Sequence, residues 1–402
     1  MKTLIEKFGR LGIDSAPGQE KEQKEAELDL RGDFLGGKPV DFSHGDVDAF
    51  EPLPGSLELF TEGFEIGGKQ AYTEYRGKAE IRRDVAEKIS SFTGKKINPE
   101  ENIILTPGTQ GALFLAMGSM IGAGDKVAIV EPDYFANRKL VEFFDGELVP
   151  VVLDYKNCSE GAGINLEDLE EKFKNGTKLF IFSNPNNPLG VIYSSKEIRE
   201  IARLATKYDV ALIVDELYSR QIFDGREYTH LCAQAEAPER MITILGPSKT
   251  ESLSGFRLGT AFGDKNIILR MEKLQAIVSL RTAGYCQAVY KAWFCEPEGF
   301  MKDRICQHQA IRDELVDKFR EAGYYVRKTE GGSYLFVELP ELDVTLKEYI
   351  AVLRKLAGVT VTAGTEFGPQ FTRHFRINFS QDAKAASAAA DRIIEITNRY
   401  KK

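Results

Sequence analysis

The chain has 402 residues, of which 53 are Lys or Arg and 61 are Asp or Glu, so its formal net charge is −8. A hydrophobic fraction of 43 % supplies enough apolar side chains for two or three domains with packed cores. The acidic balance argues against a nucleic-acid-binding protein, which usually carries a basic face. The sequence contains no apolar run of the roughly 18 residues that a membrane-spanning helix needs. We therefore expect a cytoplasmic protein without membrane contact.

The cysteine and histidine residues form neither a disulfide pattern nor a metal-binding pattern. The five cysteines are scattered and include no CxxC pair, and the four histidines show no HExxH spacing. We predict free thiols and no bound metal.

The first 40 residues predict a short helix followed by a polar stretch, GQEKEQKEAELDLRGD, which is either a solvated helix or a mobile lead-in. From about residue 100, short β-branched runs alternate with helical patterns. In chain order these runs are IILT, KVAIVE, KLFIFS, VALIVDE and MITIL. Strands that are apolar throughout and are separated by helices are typical of a parallel sheet covered on both faces. This block therefore predicts an α/β domain.

The pattern changes after about residue 296. A long amphipathic helix, FMKDRICQHQAIRDELVDKFREAGY, precedes the strand-like segments YYVRK and SYLFVEL, a further helix, the segment HFRINFS and a terminal helix. We predict three parts: an N-terminal segment over 1–50 that joins the smaller domain, a large α/β domain over 51–295, and a small α+β domain over 296–402.

Several motifs follow predicted strands, at the edge where open α/β sheets bind their ligands. The glycine-rich turn 107–112 opens a helix and points backbone N–H groups at an anion. The loop 183–190 combines two prolines with three asparagine amides. Asp215 ends a buried strand and needs a cationic partner. Lys249 follows another buried strand, where desolvation makes an amine nucleophilic, and Arg257 offers a guanidinium suited to phosphate.

Together and in this order, the motifs NPNNPLG, DELYS and SK…SGFRLG resemble the class I and II aminotransferases, which are pyridoxal-phosphate (PLP) enzymes of fold type I. The resemblance extends from about Gly45 to Ser380. It implies a mainly parallel seven-stranded sheet in a large domain, with a smaller α+β domain beside it. It also implies an enzyme with PLP as cofactor, which moves an amino group from an L-amino acid to a 2-oxo acid by a ping-pong route.

The same resemblance implies a role for each matching residue. Lys249 would form the Schiff base with the cofactor and move protons, and Asp215 would keep the pyridine nitrogen protonated. Asn187 and Tyr218 would hydrogen-bond the phenolic oxygen, Asn187 would also border the substrate, and Tyr134 would stack on the ring. The groups implied for the phosphate are Gly108, Thr109, Gln110, Ser248 and Arg257.

Substrate and subunit contacts are also implied by the resemblance. Arg376 would clamp the substrate carboxylate, with Gly45 lining the same pocket. Tyr72 would reach across a dimer interface to the cofactor phosphate of the other subunit, which implies a homodimer with shared active sites. Arg281 lies where the family brings a segment of the other subunit near the active site, and His44 precedes Gly45. For Arg281, a salt bridge to a substrate side-chain carboxylate, one to the cofactor phosphate and a plain surface position are all open. For His44, a contact with substrate and a plain surface position are both open.

Gly246 departs from the family pattern, because Ser or Thr is usual three residues before the lysine; one hydroxyl of the phosphate site is therefore missing. Small changes in substrate pose decide which bond at Cα breaks, so the motifs leave open a PLP-dependent β-lyase, a racemase or a related carbanion enzyme. A regulatory protein with a PLP-binding domain is disfavoured, because the residues before Gly45 leave no room for a basic DNA-binding region. The amino donor and the oxo-acid acceptor are not identified.

Overall fold

The computed structural model describes residues 4–11, 28–45, 49–66 and 72–402. The predicted polar lead-in lies mostly outside these residues. The described helices are α1 Leu4–Gly9, α2 Ser56–Ile66, α3 Ala79–Thr93, α4 Gly108–Met120, α5 Phe135–Phe143, α6 Leu166–Lys174, α7 Ser195–Lys207, α8 Lys265–Val278, α9 Gly284–Gln287, α10 Phe300–Glu321, α11 Leu346–Val352 and α12 Ala383–Tyr400. The described strands are β1 Val40–Asp41, β2 Ile103–Pro107, β3 Lys126–Glu131, β4 Glu147–Val152, β5 Thr177–Ser183, β6 Ala211–Asp215, β7 Met241–Leu245, β8 Leu258–Gly263, β9 Tyr325–Val326, β10 Tyr334–Glu338, β11 Val359–Thr360, β12 Thr362–Ala363 and β13 His374–Asn378.

A seven-stranded sheet forms the centre of the larger domain, with the strand order β2-β8-β7-β6-β5-β3-β4. Strand β8 runs antiparallel to both of its neighbours, and the other neighbouring pairs are parallel. The five apolar runs of the sequence form β2, β3, β5, β6 and β7, so the predicted α/β block is confirmed. Strands β4 and β8 complete the sheet.

Both faces of this sheet are buried, because apolar side chains alternate between two cores. Phe180 and Phe182 of β5 point into one core, whereas Leu179 and Ile181 point into the other. Successive side chains of a strand point to opposite faces, so a strand that is apolar throughout needs a helix layer on each side. Because helices cover both faces, a ligand can approach the sheet only at the carboxyl ends of its parallel strands, where the loops with the polar motifs begin.

The smaller domain is built on a four-stranded antiparallel sheet with the order β12-β13-β10-β9. Helices α10 and α12 pack together beside it, and a third apolar core lies between the helices and the sheet. The predicted α+β character of this region is confirmed. In the register of β10 and β13, Tyr334 lies opposite Asn378 and Phe336 lies opposite Arg376.

Two parts of the N-terminal segment lie in different places. Strand β1 pairs with β11, and Val40 and Phe42 are buried in the core of the smaller domain. Helix α1 lies against α5 of the larger domain, where Lys7 Nζ is 3.3 Å from Asp145 Oδ2. Among the described residues, no helix combines the length and the apolar character needed to cross a bilayer.

Candidate active site

A polar cavity lies beyond the carboxyl ends of the central strands. Two of its walls come from the ends of β5 and β6, and the others come from the start of α4, the loop after β7 and the first residue of β10. Nine residues singled out in the sequence line it: Thr109, Gln110, Tyr134, Asn187, Asp215, Tyr218, Ser248, Lys249 and Arg257. The fold therefore brings together residues that are up to 148 positions apart, counted from Thr109 to Arg257 as 257 − 109.

Asp215 and Lys249 face the same cavity from neighbouring strand ends. Burial raises the pKa of Asp215 to about 6, and the negative charge of Glu216 adds to this. The backbone N–H of Leu217, which donates to Asp215 Oδ1 at 3.1 Å, and the charge of Lys249 act in the opposite direction. A desolvated carboxyl of this kind is stabilised in its charged form by a cationic partner.

An anion cradle forms where α4 begins. Gly108 has a φ of +77°, and a Cβ at this position would lie 2.5 Å from Nη2 of Arg257. A Cβ on Gly259 would lie 2.2 Å from the carbonyl carbon of Gly108. Glycine at both positions therefore allows the guanidinium and the first turn of α4 to approach each other. The first N–H groups of a helix have no partner within the helix, so this turn and Arg257 together suit a phosphate.

Gly246 packs against this cradle, and a neighbouring side chain fills the space beside its Cα. A Cβ at position 246 would lie 2.8 Å from Cγ2 of Thr109 and 3.0 Å from the carbonyl oxygen of Leu258. The methyl group of Thr109 therefore occupies the space that a serine or threonine at 246 would need. The hydroxyls of Ser248 and Ser254 line the same cavity.

Arg376 is held in place by groups from three parts of the chain. Its Nη1 donates to Asn187 Oδ1 at 3.2 Å, and its Nη2 donates to the carbonyl oxygen of Ser43 at 2.8 Å and to Thr362 Oγ1 at 3.3 Å. The guanidinium carbon lies 4.3 Å from the ring centroid of Tyr334. The Nε atom of Arg376 is buried without a hydrogen-bond partner. A carboxylate is the natural ligand of such a fixed, planar donor group.

Gly45 and His44 line an adjoining cavity, which shares Ser248, Lys249 and Ser254 with the first. The His44 ring is exposed, with Nδ1 2.9 Å from the carbonyl oxygen of Gly45. Gly45 and Lys249 thus line one cavity.

Comparisons with known proteins agree on one family. The model of the family "aminotransferase class I and II" matches residues 40–393. The solved structure of an aspartate aminotransferase from Rhodobacter sphaeroides is 54 % identical, with a TM-score of 0.95 and complete coverage of both chains. An aspartate aminotransferase from Sulfolobus acidocaldarius is 28 % identical over 339 residues, which are 83 % of this chain and 84 % of the relative. Bovine kynurenine–oxoglutarate transaminase 3 is 27 % identical over 381 residues, with coverages of 88 % and 84 %.

This chain belongs to the class I and II aminotransferase family. It has fold type I and is a PLP-dependent enzyme that transfers an amino group from an amino acid to a 2-oxo acid. The family, the fold, the activity and the cofactor inferred from the sequence are confirmed.

The cavity of this aminotransferase fits PLP on two observations. The cradle at Gly108 and Arg257 suits the phosphate, because a side chain on the glycine would block it. Asp215 suits a protonated pyridine nitrogen, because burial has raised its pKa and a cation would restore the charged form. Asp215 and Arg257, one from each feature, line one cavity with Lys249.

Tyr72 and Arg281 lie outside this cavity. The Tyr72 side chain is 70 % exposed, and the guanidinium carbon of Arg281 stacks 4.2 Å from its ring centroid and 4.9 Å from that of Tyr75. Arg281 also donates to the backbone carbonyl of Thr73. These residues form one surface feature, and Arg281 does not reach the Lys249 cavity of its own chain.

Sequence reasoning missed Asp133, although it lies within the EPDY motif. Its carboxylate accepts hydrogen bonds from the backbone N–H of Tyr134 at 2.7 Å, from the N–H of Ser183 at 3.0 Å, and from the Ser183 hydroxyl. The Ser183 Oγ in turn accepts from the N–H of Asn187 at 3.0 Å. Burial raises the pKa of Asp133 to about 7, against the effect of these donors. Asp133 thus connects the backbone positions of Tyr134 and Asn187.

Sequence reasoning also missed Tyr334, the first residue of β10. It lines the cavity, and its hydroxyl lies 2.7 Å from that of Tyr218. Side-chain alternation along the strand places Tyr334 on the same face as Phe336, but the register that sets Phe336 opposite Arg376 is visible only in the structure.

Proposed function

We propose that the cavity around Lys249 is the active site of this aminotransferase, with the residues in the roles that the family resemblance implies. Lys249 would hold the cofactor aldehyde and move a proton to and from the substrate Cα. Asp215 would keep the pyridine nitrogen protonated. The observation that carries the proposal is the convergence of a lysine, a desolvated carboxyl and an anion cradle on one cavity.

Bound PLP supplies an electron sink for the charge left when a bond to the substrate Cα breaks. The protein's contribution is to bind and to orient. Arg376 fixes the substrate carboxylate, with Asn187 and Gly45 beside it. Tyr134 would cover one face of the ring. Its hydroxyl donates to Gln110 Oε1 at 2.9 Å, which keeps the side chain in position. Tyr218 lies within the same cavity, and its hydroxyl would donate to the phenolic oxygen of bound PLP.

The groups that we propose to bind the phosphate are those that form the anion cradle. The backbone of Gly108, Thr109 and Gln110 provides N–H groups at the start of α4, and Arg257 provides the guanidinium. Ser248 adds a hydroxyl.

We propose aspartate as the amino donor. The relatives at 54 % and 28 % identity are both described as aspartate aminotransferases, which supports a dicarboxylic amino acid. Arg281 is a candidate for the second carboxylate, because it lies beside Tyr72, the residue proposed to reach another subunit.

We also propose a homodimer in which Tyr72 of each subunit reaches the other active site. Large apolar side chains are exposed on α2 and at the end of α8: Leu57 is 68 % exposed, Ile66 69 % and Ile277 81 %. Ile66 lines a surface cavity together with Tyr72. Exposed apolar surface is typical of an interface between subunits. The domain division 1–50, 51–295 and 296–402 is part of this proposal, as is a cytoplasmic location, which the free cysteines support.

An absorption experiment tests the function and the lysine together. The purified holoenzyme receives single L-amino acids without any oxo acid. Loss of the visible band, its replacement by a near-ultraviolet band, and its return with a 2-oxo acid identify transamination and the donor. A persistent visible band with release of ammonia or formation of the D-enantiomer would instead indicate a lyase or a racemase.

Reduction with borohydride then locates the cofactor. Tryptic peptides of the reduced holoenzyme are expected to carry the added mass on Lys249. The matched control is Lys265→Ala, since Lys265 lies at the start of α8 outside the cavity. A modified lysine elsewhere would refute the assignment of Lys249.

A further inference from the structure

Tyr218 and Tyr334 form a buried pair of hydroxyls in the active-site cavity. Their oxygen atoms are 2.7 Å apart, with the Tyr218 hydroxyl as donor, and their rings meet edge to face at 5.4 Å. Gly332 makes this approach possible, because its φ is +82° and a Cβ there would lie 3.2 Å from the Tyr218 ring. Tyr334 is 6 % exposed. The pair is therefore a packed feature of the contact between the two domains.

A phenol has a single proton to donate. When Tyr218 donates to Tyr334, it cannot donate fully to a ligand oxygen in the cavity. When Tyr334 donates to Tyr218, the proton of Tyr218 is free for such an oxygen. The state of Tyr334 therefore decides the direction of the Tyr218 hydrogen bond.

The charged and titratable groups around Tyr334 are Lys249, Arg376, Asp215 and Tyr134, besides Tyr218 itself. Burial raises the pKa of Tyr334, but the positive charges of Lys249 and Arg376 and the hydrogen bond from Tyr218 outweigh it, so the pKa lies below its usual value.

The partner hydroxyl is perturbed in the opposite direction. Burial first, and then the proximity of Tyr334, hold the pKa of Tyr218 well above its usual value. The two hydroxyls thus have unequal acidities, and Tyr334 is the better acceptor of the pair.

We propose that the Tyr334 hydroxyl is a positioning group that shares the proton of Tyr218 and so limits how strongly Tyr218 donates to the phenolic oxygen of the cofactor. The inference rests on the proposed role of Tyr218. The ring of Tyr334 has a separate task, which is to support the Arg376 guanidinium at 4.3 Å.

The variant Tyr334→Phe separates the two tasks, because it keeps the ring and removes the hydroxyl. Tyr218 then donates to the phenolic oxygen alone. A stronger donor stabilises negative charge on that oxygen, so the adjacent nitrogen of Lys249 in the holoenzyme gives up its proton more readily. The pH midpoint of the visible absorption band is expected to fall by about one pH unit. This corresponds to about 1.4 kcal/mol, which is part of the energy of one hydrogen bond to a charged oxygen. Tyr218→Phe is expected to raise the same midpoint.

The cofactor-free protein provides a second readout. Absorbance at 295 nm is expected to show a one-tyrosine ionisation step below the others in pH, and Tyr334→Phe is expected to lose it. Tyr349→Phe is the matched control: it removes a buried hydroxyl of the smaller domain, 2.6 Å from Thr397 Oγ1, and should leave both readouts unchanged. Tyr334→Leu should lower the band midpoint in the same way and also raise KM for the amino acid, because the support of Arg376 is lost.

The outcomes separate this inference from the proposed function. If Tyr218→Phe raises the midpoint and Tyr334→Phe leaves it unchanged or raises it, the inference about Tyr334 is wrong and the function stands. If neither variant moves the midpoint, the role proposed for Tyr218 is wrong as well. If the holoenzyme has no visible band, the assignment of Lys249 fails first.

Discussion

Replacement of Gly246 by serine tests whether the residues around the phosphate cradle leave no room for a side chain at position 246. A Cβ at 246 would lie 2.8 Å from Thr109 Cγ2, whereas ordinary contacts of a Cβ begin at 3.4 Å. The neighbour has to move by several tenths of an ångström. Thr109 is β-branched and stiff, and the carbonyl oxygen of Leu258, 3.0 Å away, belongs to β8. We expect the free energy of unfolding of the cofactor-free protein to fall by about 1–3 kcal/mol.

The variant Thr109→Ser provides the matched second change, because it removes the obstructing methyl group and keeps the hydroxyl. In the Gly246→Ser background it should recover about 1 kcal/mol, since the two side chains are in contact and their effects do not add. The recovery is partial because the contact with Leu258 remains. Urea unfolding of the four cofactor-free proteins measures the coupling, and fluorescence titration with PLP measures the affinity.

Two results would refute this reasoning. One is a Gly246→Ser protein that is as stable as the parent. The other is strict additivity of the two changes, which would mean that the methyl group of Thr109 is not what excludes a side chain at 246.

Four further predictions concern other parts of the molecule. Arg376→Lys should raise KM for the amino acid about 10- to 100-fold in steady-state assays, because two charge-assisted hydrogen bonds become one; an unchanged KM would exclude Arg376 as the carboxylate clamp. Mixing inactive Tyr72→Ala and Lys249→Ala subunits should restore about a quarter of the parental activity, since half of the dimers are hybrids with one intact site; no recovery would argue against shared sites. Arg281→Ala should lower kcat/KM for aspartate about 10-fold or more and leave neutral amino acids unaffected; equal effects on both would remove Arg281 from substrate recognition. Burial lowers the pKa of His308 to about 4, so the unfolded chain takes up a proton near pH 6.5 before the folded chain does. The free energy of unfolding therefore falls as the pH drops from about 6.5 to about 4, and His308 accounts for up to about 3 kcal/mol of this fall. His308→Gln should flatten that part of the pH–stability curve measured by urea unfolding. An unchanged slope would contradict the lowered pKa of His308.

The strands of the central sheet that the sequence predicted are those buried on both faces. β3, β5 and β6 are continuous apolar runs, and their pattern follows directly from burial between two helix layers. β4 lies at the edge of the sheet, contains Pro150 and is partly exposed, so it lacks that pattern. β8 contains two glycines, Gly259 and Gly263, within six residues, so it lacks the apolar pattern of a buried strand. Position 259 needs glycine because it lies against the backbone of Gly108.

Site residues that lie within a sequence motif could likewise be predicted, whereas those defined by contacts with distant parts of the chain could not. Asp215 and Lys249 were predictable because each follows an apolar run within a recognisable motif. Tyr334 was not, because its importance arises from a contact with Tyr218, 116 positions earlier, across the domain boundary. Asp133 was overlooked for a related reason: its hydrogen bonds go to the end of β5, which no local pattern reveals.

The hydrogen bonds of Arg376 have a consequence for how tightly a small substrate binds. A free arginine side chain loses much rotational freedom when it engages a carboxylate, and this loss opposes binding. Here Ser43, Asn187 and Thr362 already restrict the guanidinium, so that loss of entropy occurs when the chain folds. The substrate then meets donors whose direction is fixed, and more of the energy of its carboxylate contact is expressed as affinity.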